Sequence, residues 1–479
     1  MKISRIIPFC VLIITILSSC KKDELITDSS AKLQFSTDSV LFDTVFHFAG
    51  STTKVFRIYN TYDQPINISK AYLAGGTGSV FKLNIDGVST TASTPVLTDI
   101  EILGGDSLYV FVQVFVNPTG SLPLIVKDSI IFETNGNIQD VKLLAIGQDV
   151  YLHKPLPGKF YSIIGRSGFD TILPNDKPHL MFGYVVVDSA CKVTIQAGTK
   201  IYMHNSAVLW VYKEGTLEIL GTHGNEVRFQ GDRLEPEYKD VPGQWGKIWL
   251  SQLSKNNIID WAIIKNGQIG IQVDTVASLT NPTLRLSNTI VKNMSAAALY
   301  GQGAHIRAVN CVFANCGQYV AALTIGGKYR FEHCTFANFW DRDERNTPII
   351  ALSNYYVSGS AYIVRPLDSA YFGNCIIYGD IDEEIGIDSL SLAGPGYFSY
   401  KFDHCILKTQ RNTANVHYNT VYTNNPGYRD ISINDYRLNA TSFAVDKGDT
   451  GIFIPFDLNN AARPNPSTSL PDIGAYEFY

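Results

Sequence analysis

Aromatic and charged side chains crowd together at Trp340-Asp341-Arg342-Asp343-Glu344-Arg345, with Tyr355 and Tyr356 a short way on. Indole and phenol faces stack on the apolar side of a sugar ring, while carboxylates and guanidiniums take its hydroxyls in paired hydrogen bonds. Trp340, Asp341, Arg342, Asp343, Arg345, Tyr355 and Tyr356 are therefore the candidate ligand-binding residues; the alternative is a solvated loop whose charges compensate one another. A second charged loop, Gly231-Asp232-Arg233-Leu234-Glu235-Pro236-Glu237-Tyr238, is open to the same two readings. Asp380, Asp382 and Glu384 alternate acidic oxygens as a Ca²⁺ loop would, yet they lack the glycine and the remaining ligands of an EF-hand. No cofactor is expected, Ca²⁺ being the alternative, and no metal ligand is assigned.

Other chemistry finds less support. There is no G-x-S-x-G, no H-E-x-x-H, no P-loop and no G-x-G-x-x-G after a strand, so hydrolase-elbow, zincin and nucleotide-enzyme classes lose ground. His223-Gly224 stands alone in what reads as a turn, and no catalytic residue is assigned. With 39 Lys+Arg against 44 Asp+Glu the chain carries a net charge of −5, which excludes a polycationic nucleic-acid binder.

The elements that must position these residues are strands. Of the 479 residues 45% are hydrophobic and only 17% charged, with 26 Tyr, 25 Phe, 38 Gly and 20 Pro, a mix that favours many short strands joined by turns. Period-2 alternation is plainest from Leu108 to Val116 and predicts a strand buried largely on both sides. Similar runs at 40–48, 54–60, 66–73, 129–134 and 141–146 place a β-sandwich over residues 31–150. That segment contains no Cys, so its core must rest on apolar packing. It resembles the Ig-like modules behind the anchor in bacterial surface proteins, which implies a spacer; a ligand site in its loops is the alternative.

Farther along, a hexapeptide recurs: Trp261-Ala-Ile-Ile-Lys-Asn266, Asn288-Thr-Ile-Val-Lys-Asn293, Asn310-Cys-Val-Phe-Ala-Asn315 and His333-Cys-Thr-Phe-Ala-Asn338. Two later copies begin at Asn374 and His404 and lose the final Asn. The steps from Thr289 to Cys311 and from Cys311 to Cys334 match one coil of a solenoid, and longer steps are coils with inserted loops. Coils stack about 4.8 Å apart, so like residues lie over like. Asn266, Asn293, Asn315 and Asn338 are expected to pass amide hydrogen bonds along the axis. Ala262, Thr289, Cys311, Cys334, Cys375 and Cys405 are expected to point into a narrow interior, the four thiols forming a reduced ladder; a Cys311–Cys334 bond is the alternative.

This pattern resembles the right-handed parallel β-helix of polysaccharide lyases, pectinases and many bacterial surface proteins. Val193-Thr194-Ile195-Gln196-Ala197-Gly198-Thr199 and Gln244-Trp245-Gly246-Lys247-Ile248-Trp249-Leu250 are similar to the first coils of such surface proteins. Ser442-Phe443-Ala444-Val445-Asp446, Asp457, Arg463 and Asp472-Ile473-Gly474-Ala475-Tyr476-Glu477 are similar to their C-terminal cap. Asp446, Arg463, Asp472 and Glu477 are expected to form ion pairs in a cap that shields the last open coil.

At the N-terminus, Lys2 and Arg5 precede an apolar run from Ile6 to Leu17, too short to span a bilayer and suited to a signal-peptide core. Leu17-Ser18-Ser19-Cys20 resembles the lipobox of bacterial lipoproteins, which implies cleavage before Cys20 and lipidation of it. Lys21-Lys22-Asp23-Glu24 is similar to the acidic export tag of Bacteroidota surface lipoproteins. The resemblance implies a lipid-anchored protein on the outer face of the outer membrane, with the periplasmic face as alternative.

The expected organisation is all-β: signal peptide 1–19, lipidated tether 20–30, Ig-like β-sandwich 31–150, connector 151–184, right-handed parallel β-helix 185–440 and C-terminal cap 441–479. Its expected function is binding of an extended glycan or surface ligand through the β-helix face and loops. A polysaccharide lyase or glycoside hydrolase is the alternative from another class, and a structural surface component without a dedicated ligand the third.

Overall fold

The structure, a computed structural model, describes residues 24–46, 50–116, 124–274, 280–390 and 397–479. The expected signal segment and Cys20 lie outside them. The chain is almost wholly β and divides into two units, 1–149 and 150–479.

The first unit is an Ig-like sandwich of two sheets, each with five strands among the described residues. Lys54–Tyr59, Ser107–Val114 and Phe81–Ile85 run through one sheet; Asn137–Gln148, Leu124–Thr134 and Ile66–Leu73 run through the other. Phe56, Ile58, Val110, Val112, Phe132 and Leu143 meet between them. The expectation that 108–116 is buried on both sides is corrected. Val110, Val112 and Val114 face the core, but Tyr109, Phe111 and Phe115 stay 44%, 36% and 48% exposed. A strand in a two-layer sandwich has a partner sheet on one side only. Cations partly cover the aromatic side instead: the Arg57 guanidinium lies 4.4 Å from the Tyr109 ring centroid and Lys82 4.6 Å from that of Phe115.

The second unit winds into a parallel β-helix whose strands join one continuous sheet of 26 strands, from Tyr151–His153 to Tyr418–Tyr422, among the described residues. Parallel pairing already begins inside the segment expected as a connector, with Tyr151 opposite His179 and Tyr161 opposite Tyr184. Each coil crosses three lateral faces. The first face carries Leu284–Ser287, His305–Val309, Gly327–Glu332, Leu367–Gly373 and the start of Phe398–Leu407. The second carries Ala262–Lys265, Ile290–Met294, Val312–Cys316, Thr335–Asn338 and Ile376–Gly379. The third carries Lys247–Leu250, Ile269–Asp274, Ala297–Gln302, Tyr319–Thr324, Ile350–Ser353 and Ile385–Asp388.

The hexapeptide is the corner that leads onto the second face. Its first residue, Trp261, Asn288, Asn310, His333, Asn374 or His404, has φ between 48° and 52° in every copy. Asn and His are among the side chains that tolerate this left-handed conformation best, which explains the preference at the position. Cys311, Cys334, Cys375 and Cys405 follow as fully buried free thiols. Each donates to the carbonyl two residues back, at 3.2, 3.4, 3.2 and 3.4 Å respectively. Beside them Phe331, Phe372 and Phe402 stack with centroids 5.0 and 4.9 Å apart.

The axial amide ladder forms at the opposite end of the motif from the one expected. Asn288 Nδ2 donates to Asp260 at 2.9 Å, Asn310 Nδ2 to Asn288 Oδ1 at 3.2 Å, and Asn374 Nδ2 lies 2.9 Å from His333 Nε2. At the motif's end, Asn266 donates to the Lys239 carbonyl at 2.8 Å, and Asn315 accepts from the Tyr436 hydroxyl at 2.6 Å. Those amides serve the segments that overlie the corner. Asn338 does reach along the axis as expected, bonding both the N–H and the C=O of Cys316 on the preceding coil at 3.0 and 2.9 Å.

The C-terminal cap covers the flank of the coils. Ala444, Leu458, Ile473 and Ala475, joined by Tyr428 and Tyr436 from before the expected boundary at 441, pack on Val312, Ala314, Ala337, Ile376 and Ile406, the outward side chains of the second face. Those strands have no polar side, so an element had to lie over them. Arg463 and Glu477 form the expected buried ion pair at 2.9 Å, and Arg463 also donates to Asn310 Oδ1 at 2.6 Å. Asp472 makes no ion pair among the described residues. It accepts backbone N–H groups of Asp446 and Phe478 at 2.8 and 2.7 Å, as Asp457 does for Asn459, Ala461 and Glu477. The Asp446 carboxylate finds no cation partner among them either.

Candidate functional site

On the third face one outward column runs in register through Trp210, Trp249, Gln272, Tyr300, Ala322, Ala351 and Gly386. The alternation that buries Leu209, Val211, Ile248 and Leu250 turns the residues between them outward. The indoles of Trp210 and Trp249 stack with centroids 5.0 Å apart and planes 10° from parallel. Tyr212 and Tyr184 meet Trp210 edge-on at 5.3 and 6.1 Å.

Polar groups are set around this platform by their own bonds. Trp249 Nε1 donates to Asp274 Oδ2 at 2.5 Å, Gln272 Nε2 to Asp274 Oδ1 at 2.9 Å, and Lys247 Nζ to Gln272 Oε1 at 2.6 Å. Gln302 Nε2 donates to the Tyr300 hydroxyl at 3.1 Å. Trp210 Nε1 has no hydrogen-bond partner among the described residues. Beyond Tyr300 the column shrinks to Ala and Gly, and the face sinks into a hollow of about 590 Å³ walled by Tyr319, Gln318 and Pro348, with Asp388 and Arg411 also on its lining.

Asp274 and Asp388 stand in one column, Asp274 opposite Gln302, Gln302 opposite Thr324 and Ser353 opposite Asp388. Four coil steps separate them, about 19 Å at 4.8 Å per step. Glycoside hydrolysis needs two carboxyl groups no more than about 9.5 Å apart. These two cannot act as such a pair, and each is already engaged, Asp388 by the Tyr355 hydroxyl at 2.5 Å.

The residues expected to form one site are split. Arg345 is drawn inside: its side chain is 1% exposed, and it donates to Glu384 through both terminal nitrogens, at 2.8 and 2.7 Å, and to Asp380. A guanidinium buried this way is held by its carboxylates and does not reach a ligand. The same pairing takes Asp380 and Glu384 away from any Ca²⁺ loop with Asp382. Trp340 donates to Asp343, and Arg342 to the Asp240 carbonyl at 2.7 Å. Trp340, Asp341 and Arg342 line a hollow of about 410 Å³ with Asn293, Asn315 and Ser432. Tyr355 and Tyr356 sit on a hairpin, Tyr355–Ser358 with Ala361–Val364, where only Tyr355 is tied to the third face, through Asp388.

The second charged loop compensates itself: Arg233 pairs with Glu235 at 3.1 Å and lies 3.8 Å from the Tyr238 ring centroid, while Asp232 meets His204 at 2.6 Å. Asp403, His404 and Asp449 bring metal-type donor atoms within 4.8 Å of one another. Lys401 at 3.1 Å and Asn419 at 2.7 Å already occupy Asp403, however. Hydrogen bonds and the Lys401 charge hold the Asp403 carboxyl below the usual range despite its burial.

Trp210, Trp249, Gln272 and Tyr300 were not singled out from the sequence. Their signal was present in Val208-Leu209-Trp210-Val211 and Lys247-Ile248-Trp249-Leu250, two strands with an indole at the outward position.

The family model described as "Right handed beta helix region" matches residues 182–336, which makes the solenoid right-handed. No curated protein matches the chain in sequence. Among solved structures it is similar to the catalytic unit of a thermostable GH87 alpha-1,3-glucanase from Streptomyces thermodiastaticus, at 12% identity and a TM-score of 0.30, over 73% of this chain and 79% of that one. It is similar to the E. coli chaperone DraB at 11% identity and a TM-score of 0.17, over 24% of this chain and 54% of that one, about half the chaperone's length. A PapD-like domain of human CEP192 is similar at 12% identity and a TM-score of 0.17, over 27% of this chain and 92% of that domain. Likenesses this distant bear on neither the activity nor the ligand of this chain.

Proposed function

We propose that this protein binds an extended, uncharged glycan along the third face of its β-helix and is held at the outer membrane, on the cell surface, by lipid on Cys20. One observation carries the binding reading: Trp210 and Trp249 stack in register and lead through Gln272 and Tyr300 into the hollow. Stacked indoles one coil apart present an apolar ridge of ring edges, and the amides and hydroxyls beside it supply bonds for hydroxyl groups. The separation of Asp274 and Asp388 supports retention over cleavage at this face. Anchoring rests on the Leu17-Ser18-Ser19-Cys20 sequence.

A panel of neutral polysaccharides titrated against the full-length protein in detergent, read by tryptophan fluorescence, tests this. Trp249→Ala should weaken the bound member about tenfold or more, as loss of a stacked aromatic does. Undiminished binding by both Trp249→Ala and Trp210→Ala would remove the third face from the proposal.

A further inference from the structure

The first face carries another outward column: Arg285 lies opposite Arg307, Arg307 opposite Arg330, Arg330 opposite Tyr371 and Tyr371 opposite Lys401. Three guanidiniums on successive coils repeat at about 4.8 Å, and the column to Lys401 extends about 19 Å. Like charges directly opposite one another on a sheet destabilise it. Here the repulsion is only partly relieved. Glu332 takes Arg307 at 3.1 Å and Arg330 at 2.6 Å, one carboxylate for two cations. Arg285 makes no ion pair among the described residues. Arg307 and Arg330 keep about half their side chains open, 51% and 48%. Lys328 stands exposed beside them, and these groups line a shallow hollow of about 350 Å³ with Ser369 and Tyr371.

Packing does not explain the column, since the interior beneath it is complete with Leu286, Ala308, Phe331 and Phe372. We propose that it is a second binding site, for a linear acidic polysaccharide that carries a carboxylate or sulfate on its repeating units. A planar guanidinium receives either group through two parallel N–H bonds. A straight row of them suits a chain with anions spaced along one side, whereas the backbone of a nucleic-acid duplex curves away from a straight row. Arg330 over the Tyr371 ring, at 4.4 Å, fixes one end of the row by stacking.

The test uses the full-length protein in detergent over immobilised dextran sulfate, polygalacturonate and unsulfated dextran. Retention on one or both charged polymers and none on dextran is expected, with the two charged arms separating sulfate from carboxylate. Arg285→Gln should lower that retention about fivefold to tenfold, and Arg285→Glu should abolish it, because the Arg285 side chain holds no bond that folding needs among the described residues. Melting temperatures of both variants should equal that of the wild type. Full retention by Arg285→Glu would overturn the proposal, as would equal retention on duplex DNA of matched charge. An excess of the neutral glycan bound at Trp249 should not displace the acidic polymer. None of these substitutions touches the third face, so loss of acidic-polymer binding and loss of neutral-glycan binding are told apart directly.

Discussion

The guanidinium of Arg345 and the carboxylate of Glu384 face each other through two hydrogen bonds, at 2.7 and 2.8 Å, with both side chains sealed from solvent. Glu384 also accepts the backbone N–H of Ile349 at 3.0 Å, so the pair fastens the loop inserted after Asn338 to the coil above it.

Glu384→Gln leaves Arg345 with Asp380 as its remaining carboxylate partner among the described residues and should destabilise the β-helix by about 1.5–3 kcal/mol, the usual cost of losing hydrogen bonds between charged groups. Chemical denaturation would show it as a lower midpoint at unchanged slope. Replacing Arg342, which is exposed, should change stability by no more than about 0.5 kcal/mol.

His333 fixes a pH dependence. It is buried in the corner beneath the cap, with Nε2 3.1 Å from the Ile452 carbonyl oxygen and 2.9 Å from Asn374 Nδ2. Burial, reinforced by the Arg463 charge, holds its pKa well below the ordinary value of 6.5. The unfolded chain takes up a proton as pH falls through about 6.5 and the folded chain does not, so stability present above that pH is lost below it. The loss grows as pH falls further below that value. His333→Asn places a residue already used at 288, 310 and 374 and should flatten the melting-temperature profile below pH 6.5. An unaltered profile would assign the acid sensitivity elsewhere, first to His153, which burial pushes down to about 4.

Cys20→Ser should move the protein from the membrane fraction to the soluble fraction, since several acyl chains at about 0.8 kcal/mol per buried CH₂ are the proposed hold. Recovery of the wild type free of lipid, by intact-mass measurement, would contradict the anchor.

Much of the fold was legible because stacking writes itself into a repeat. An Asn or His that opens every corner but the one at Trp261, a thiol or small residue next, and in the later coils a Phe beneath are local requirements of a coil, visible in one chain. The flank cover was legible in part. Cys311-Val312-Phe313-Ala314 has no polar side, which says that both faces are buried without saying by what. The binding column was hidden for a different reason. Trp210 and Trp249 touch only because the chain between them, charged loop included, makes a single turn, and that register belongs to the three-dimensional winding. The crowd at Trp340–Arg345 reads as one site only if adjacency in sequence is adjacency in space. Burial of Arg345 against Glu384 sends its side chain away from those of its neighbours.

Solenoids made of near-independent turns can fray from an open end, one rung after another. The segment that carries Arg463 runs across several rungs at once, gripping Asn310 through that side chain while the backbone of Asp449 and Gly474 holds Asn374. Rungs strapped together in this manner must let go together. The stretch between those two asparagines is therefore expected to exchange its amide protons as a single cooperative block, slower than the turns on either side of the strap.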